Sequence, residues 1–247
     1  MSNKKIILAT GSDENYIQHI ERYLYSMKEN SNFDENILVY VGDDIEKIKK
    51  YEKVRNCELR IENIKSLNQN KCLQHGEFLK SSYFNEINDE DIIFFTDGDI
   101  YLQRNMNPEE ILFLKNMKDD DVWVGYNAGP NDTLADEFSR LGPRGIVNIH
   151  DFVGLKCYNT GVLCMNKKTW RRVADLYCAM FHLVEPMFYH YAKQQWLISY
   201  ILKDFNVIEM SYLIRNHNIY GIKEGMETDH KDVYYLGEKS LFRHKWF

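Results

Sequence analysis

A chain of 247 residues with 44% apolar and 14% aromatic content carries enough hydrophobic material for a sizeable core, and one α/β domain is the economical reading. Its 31 Lys and Arg against 37 Asp and Glu leave a formal charge of −6, and no local basic stripe offsets it, which argues against a dedicated nucleic-acid binder. No run approaches the roughly 18 apolar residues of a membrane span, and the five cysteines (Cys57, Cys72, Cys157, Cys164, Cys178) lack Cys-x-x-Cys spacing, so they read as free thiols of a reducing compartment.

In chain order, Ile6 to Thr10 is an apolar run too short for a signal peptide and reads as a buried first strand. Gly11-Ser12-Asp13 reads as a turn with Asp13 capping a helix, in which Ile17, Ile20, Leu24 and Met27 recur at helical spacing. Asn36 to Val41 is a second strand ending at Gly42-Asp43-Asp44; a polar helix to about Val54 and a weaker strand near Leu59-Arg60-Ile61 follow. This alternation predicts an α/β fold with a mostly parallel central sheet flanked by helices.

A helix is predicted from about Leu73 to Ile87, with Leu79, Tyr83 and Ile87 inward. The run Asp91-Ile92-Ile93-Phe94-Phe95-Thr96-Asp97-Gly98-Asp99-Ile100 then stops on two carboxylates one residue apart. Asn107 and Pro108 form a helix start, and Val122 to Gly125 reads as a strand. Between Asn127 and Gly154 glycines and prolines replace any sustained periodicity, so this segment reads as a loop-rich excursion of the kind that forms lids or binding loops. Cys157 to Asn166 is a strand with Gly161 at its centre, followed by a helix from about Lys168 to Leu183 and a second helix bearing Gln194, Gln195, Trp196 and Ile198. Strand-like runs at Val207 to Ile214 and Val233 to Leu236 precede the final Phe242-Arg243-His244-Lys245-Trp246.

The carboxylate pair is the chemical centre. Alternate residues of an extended chain point the same way, so Asp97 and Asp99 face one cation, and Gly98 lets the backbone approach it closely. Hard divalent cations such as Mn2+ or Mg2+ take oxygen ligands and fill their remaining positions with water and substrate phosphates. An EF-hand loop starting at Asp97 is excluded, because Leu102 and Pro108 stand where glycine and glutamate belong. Two other readings stay open: a pair of solvated turn residues, and a phosphatase of the haloacid-dehalogenase type. In the latter the first aspartate is the nucleophile, but its motif follows the first strand, and Tyr101 stands where Thr or Val is usual.

Over most of its length the chain resembles the GT-A class of nucleotide-sugar glycosyltransferases, and most of all the family of glycogenin and the bacterial lipopolysaccharide galactosyltransferases. The shared features are a helix with the basic Lys80, the apolar strand, Asp97-Gly98-Asp99 with the aliphatic Ile100 behind it, and Tyr158-Asn159-Thr160-Gly161-Val162-Leu163 running to Asn166 and the early Trp170 of the next helix. Two departures stand out. The family's Asp-Gln-Asp is here Lys193-Gln194-Gln195-Trp196, and its closing motif is reduced to His244-Lys245-Trp246.

The resemblance implies one GT-A domain over 1–247, with a nucleotide-binding part at about 1–126 and an acceptor-side part at about 127–247. It implies a metal-dependent hexosyl- or deoxyhexosyltransferase that uses Mn2+ or Mg2+ held by Asp97, Asp99 and His244, with His230 and His217 as fallbacks. Lys80 and Lys245 would contact the diphosphate, while Gly98, Asn159 and Gly161 would line the donor. Gln194 or Gln195 would lie near the anomeric carbon, although at least one of them also reads as solvent-facing. Ala9-Thr10-Gly11 should lie beside the nucleoside, because ligands of open α/β sheets bind outside the carboxyl ends of strands, and Asp43 is a base or ribose contact. The donor implied is a UDP-sugar, the acceptor a glycan or other hydroxyl, and the anomeric configuration is retained.

Alternatives accompany each part. Asn159 and Gly161 also suit a tight strand crossing. Arg144, His150 and Asp151 read equally as acceptor contacts or as loop polarity. Phe188, Tyr189, Tyr191 and Trp196 read as a sugar-stacking surface or as core. A GT-A-like domain that only binds a nucleotide sugar or glycan is the non-enzymatic alternative. No membrane span is expected, and a cytoplasmic bacterial or viral protein, or a domain of a larger synthase, fits best.

Overall fold

A computed structural model describes residues 4–13, 17–41, 45–49, 58–62, 75–78, 80–126, 133–140, 149–187, 193–209, 214–217, 226–228, 233–235, 238–239 and 241–245. The strands are β1 (Ile6–Asp13), β2 (Glu35–Val41), β3 (Glu58–Ile61), β4 (Ile92–Thr96), β5 (Ile100–Leu102), β6 (Asp121–Tyr126), β7 (Tyr158–Asn166), β8 (Asn206–Glu209), β9 (Ile214–His217), β10 (Met226–Thr228), β11 (Val233–Tyr235), β12 (Glu238–Lys239) and β13 (Phe242–Lys245). The helices are α1 (Ile17–Asn30), α2 (Ile45–Lys49), α3 (His75–Phe78), α4 (Tyr83–Glu86), α5 (Pro108–Lys115), α6 (Leu134–Arg140), α7 (Lys167–Val184) and α8 (Lys193–Leu202).

The architecture is α/β, with a mixed, largely parallel sheet of seven strands in the order β3-β2-β1-β4-β7-β6-β8. β7 runs antiparallel to both its neighbours, whereas the other ladders are parallel. Side chains of a strand alternate between faces, and each face has its own core. Ile7, Ala9, Ile93, Phe95 and Leu163 meet Phe78, Tyr83, Trp170, Tyr177 and Trp196 on one face. Ile6, Leu8, Ile92, Phe94 and Val162 meet Ile20, Tyr23, Leu24, Leu114 and Phe242 on the other. A small sheet, β5-β13-β9, stands beside the carboxyl end of β4. No helix among the described residues is long and apolar enough to cross a membrane.

The structure revises four sequence expectations. The first strand does not turn at Gly11: it continues to Asp13, because Val39 to Val41 of β2 offer a paired edge for Gly11 to Asp13. The helix predicted at Leu73 to Ile87 is two short pieces, α3 and α4. The Glu62 carboxylate breaks it by taking hydrogen bonds from the Ser81 and Ser82 hydroxyls and the Ser82 amide, a better arrangement for serines than a helix interior. The excursion is not wholly irregular, since it contains α6, begun by a reciprocal cap between Thr133 and Asp136. Val207 to Ile214 is divided between β8 and β9, with 210–213 outside the described residues. The predicted start of α5 is found: Asn107 caps Glu110, and the Glu110 carboxylate returns to the Asn107 amide.

Candidate functional site

β4 is fully buried along its length, and at its carboxyl end the chain leaves the ladder with Asp97. The Asp97 amide donates to the Gly161 carbonyl at 2.8 Å, and the Asp97 carbonyl accepts from the Ile100 amide at 3.0 Å. Asp97-Gly98-Asp99 is therefore a tight turn and not the extended strand end expected from the sequence, and it places Asp99 directly before β5. Thr10 reaches across from β1 and donates its hydroxyl to the Thr96 carbonyl at 2.7 Å, while Thr96 donates in turn to the Tyr23 hydroxyl at 3.1 Å. The two strands that bring the site together are thus locked to each other at the site's own edge.

Gly98 is buried against β1: a Cβ there would stand 3.1 Å from Ile20, 3.7 Å from the Gly11 carbonyl oxygen and 3.9 Å from the Thr10 hydroxyl. Gly161 is packed as closely, against Asp97 Oδ2, Asn159 Oδ1 and the tip of Ile100. Its amide donates to Asn159 Oδ1 at 2.9 Å. Since a backbone N–H needs an acceptor, this bond fixes which way the Asn159 amide faces and leaves its NH2 group to donate elsewhere. The structure therefore joins the two motifs, Asp97-Gly98-Asp99 and Asn159-Thr160-Gly161, through one pair of backbone hydrogen-bonding groups.

Asp97 is partly buried, with its carboxylate against Gly161. Burial, with the charge of Asp99 added, pushes its pKa well above the usual carboxylate range. Two carboxylates that repel each other across so short a stretch suit a hard divalent cation, which would relieve both penalties at once. Among the described residues no three metal-binding side chains converge. The proposed third ligand, His244, has its backbone beside Ile100, the residue after Asp99, through the pairing of β13 with β5. Lys245 lies one residue further along β13, and the fallback His217 is its neighbour on β9. The side chains of all three, together with His230, Asp43 and Arg144, lie outside the described residues.

The remaining expected site residues fall as follows. Ala9 and Thr10 are both fully buried, whereas Gly11 is partly exposed. Lys80 is exposed, in the turn between α3 and α4; burial raises the pKa of the Cys178 thiol, and the nearby Lys80 offsets part of the rise. Gln194 and Gln195 occupy the first turn of α8. Ser199, one turn after Gln195, takes the Tyr158 amide at 3.0 Å at the start of β7, so the beginning of α8 lies at the edge where Asp97 and Asn159 meet. Gln194 Oε1 is buried with no hydrogen-bond partner among the described residues. Trp196 is core: its indole donates to the Leu134 carbonyl at 3.0 Å and its ring meets Phe138 and Phe152. His150 and Asp151 are exposed, and Phe188, Tyr189 and Tyr191 lie outside the described residues.

Sequence reasoning missed one feature, the Phe78 ring against Gly11, where a Cβ would come within 2.3 Å of the ring. A glycine behind a run of buried strand residues is the signal that could have pointed to such a contact. No family model matches this chain, and no curated protein matches it at a significant level.

Proposed function

We propose that the protein is a metal-dependent glycosyltransferase of GT-A type that moves a sugar from a nucleoside diphosphate sugar, UDP-linked, to a glycan or other hydroxyl acceptor, in the cytoplasm. The observation that carries this reading is the meeting of Asp97, Asp99, Asn159 and Gly161 at the carboxyl edge of a mixed, largely parallel sheet, with the strand of His244 alongside. That edge is where open α/β sheets bind ligands. The haloacid-dehalogenase alternative has less support, because the carboxylate pair follows β4 rather than the first strand.

Asp97, Asp99 and His244 would hold Mn2+ or Mg2+, which when bound supplies positive charge to a diphosphate leaving group. Gly11 borders the nucleoside through its backbone. Gly98 lets the turn that carries the two carboxylates lie flat against β1. The NH2 edge of Asn159 donates to a donor oxygen, and Lys245 adds a cation beside the diphosphate. Gln194 and Gln195 offer amides to sugar hydroxyls. An amide is a poor nucleophile, so acceptor attack occurs on the face from which the phosphate departs, and the phosphate takes the acceptor proton.

Thermal unfolding with Mn2+ and a panel of UDP-, GDP- and CMP-sugars, against EDTA, tests the reading, because a ligand of the native state raises its apparent stability. The expected result is an EDTA-sensitive shift with UDP-sugars, together with turnover that Asp97→Ala and Asp99→Ala each abolish. Absence of any nucleotide shift in folded protein overturns it. Retained binding without turnover in the wild type points instead to a sugar-binding module.

A further inference from the structure

We propose that Gly161 is a positioning residue for the carboxylate pair: the absent side chain on β7 lets Asp97 lie against the sheet in the one orientation that lines it up with Asp99 for a cation. This rests on the reading above and gives Gly161 a part different from the donor contact expected of it.

Three neighbours would meet a methyl group at position 161, and they differ in how far they can retreat. The Ile100 Cδ1 atom, 3.1 Å away, is the free end of a flexible chain and can turn aside. Asn159 Oδ1, 2.9 Å away, is held by the amide of Gly161 itself and can withdraw only by giving up that bond. Asp97 Oδ2, 3.0 Å away, belongs to a residue whose backbone is held by the hydrogen bond its amide donates to the Gly161 carbonyl. Its carboxylate can therefore move only by rotating.

The ladder between β1 and β4 ends at the pair Thr10 and Thr96, and Gly11 and Asp97 follow it on the two strands. The Phe78 ring already fills the space above Gly11. One of the two glycines, Gly11, is covered by an aromatic ring, and the other, Gly161, is covered by the Asp97 carboxylate itself. A side chain at 161 would press on that carboxylate and turn it out of line with Asp99, without touching metal or sugar.

The test is Mn2+ binding alone, followed by the electron paramagnetic resonance of free Mn2+ in the absence of nucleotide and acceptor, on wild type, Gly161→Ala and Asp97→Ala. Circular dichroism and thermal unfolding establish that each is folded. Gly161→Ala is expected to bind Mn2+ about tenfold or more weakly, in the range found when a residue that orients a metal ligand is altered. The double variant Ile100→Val/Gly161→Ala frees room on the aliphatic side and keeps the test open if the single variant is unstable. It is expected to remain as weak, because the contact with the carboxylate persists. Affinity within about twofold of wild type in either folded variant overturns the proposal and leaves Gly161 a merely structural glycine. A wild type that binds no more Mn2+ than Asp97→Ala overturns the transferase reading itself and the positioning role with it, so the wild-type measurement tells the two failures apart.

Discussion

The contact between Gly11 and the Phe78 ring shows how little space remains above the later part of β1. Any Cβ at position 11 collides with three ring carbons, the nearest at 2.3 Å, and the ring is itself packed beside Phe95. Gly11→Ala should therefore cost about 1–3 kcal/mol, the usual penalty of overpacking a filled site, read as a lower urea midpoint at unchanged slope. Gly11→Ala combined with Phe78→Leu should recover part of that loss, which separates the steric cost from any change in the backbone. At this scale the sequence was informative where a property is local. Two aspartates one residue apart behind an apolar strand stand out in the sequence, so Asp97 and Asp99 could be singled out directly, although the turn that holds them could not. Their dependence on Gly161 could not, because it is set by the register between β4 and β7, which no short-range spacing encodes.

Among the elements, α4 depends most on a partner distant in sequence. Glu62 closes its start with bonds from Ser81, Ser82 and the Tyr83 amide. Burial works against ionisation of Glu62, but these hydrogen bonds outweigh it and hold its carboxyl below the usual glutamate range. The folded state then binds fewer protons than the unfolded one over that window. The stabilisation is complete above the ordinary glutamate range and disappears as pH falls through the lowered value. Glu62→Gln should lose about 1 kcal/mol at neutral pH, typical of a helix cap, and its unfolding free energy should fall less on acidification than that of the wild type. The break before α4 was invisible to a reading by helical periodicity, since Tyr83 keeps its inward place whether or not the helix is continuous. For α6 a local signal did exist: Thr133 and Asp136 stand at capping-box spacing just before the buried Phe138, and the surrounding glycines and prolines outweighed it.

Across the whole molecule, the alternation of strand and helix in the first third was enough to predict a layered α/β fold. The reversed direction of β7 was not, because it depends on how the chain returns after the excursion. That return is secured by aromatic packing: Trp196 ties α8 to α6 and to Phe152. Trp196→Ala should cost about 3–5 kcal/mol, as large-to-small changes of a buried aromatic do, and should leave the chain between β6 and β7 open to limited proteolysis at temperatures where the wild type resists it.

The place of β7 also bears on how the protein must be made. β4 is flanked by β1, near the start of the chain, and by β7, which emerges only after the long excursion. Until Tyr158 to Asn166 leave the ribosome and dock, Ile92-Ile93-Phe94-Phe95-Thr96 has one bare row of amides and carbonyls, with neither charge nor proline to blunt it. Uncharged apolar strands with an open edge pair readily with copies of themselves. Chains cut short before β7 should therefore aggregate rather than accumulate as folded fragments, and the interval of synthesis between β6 and β7 is when this protein most needs a chaperone.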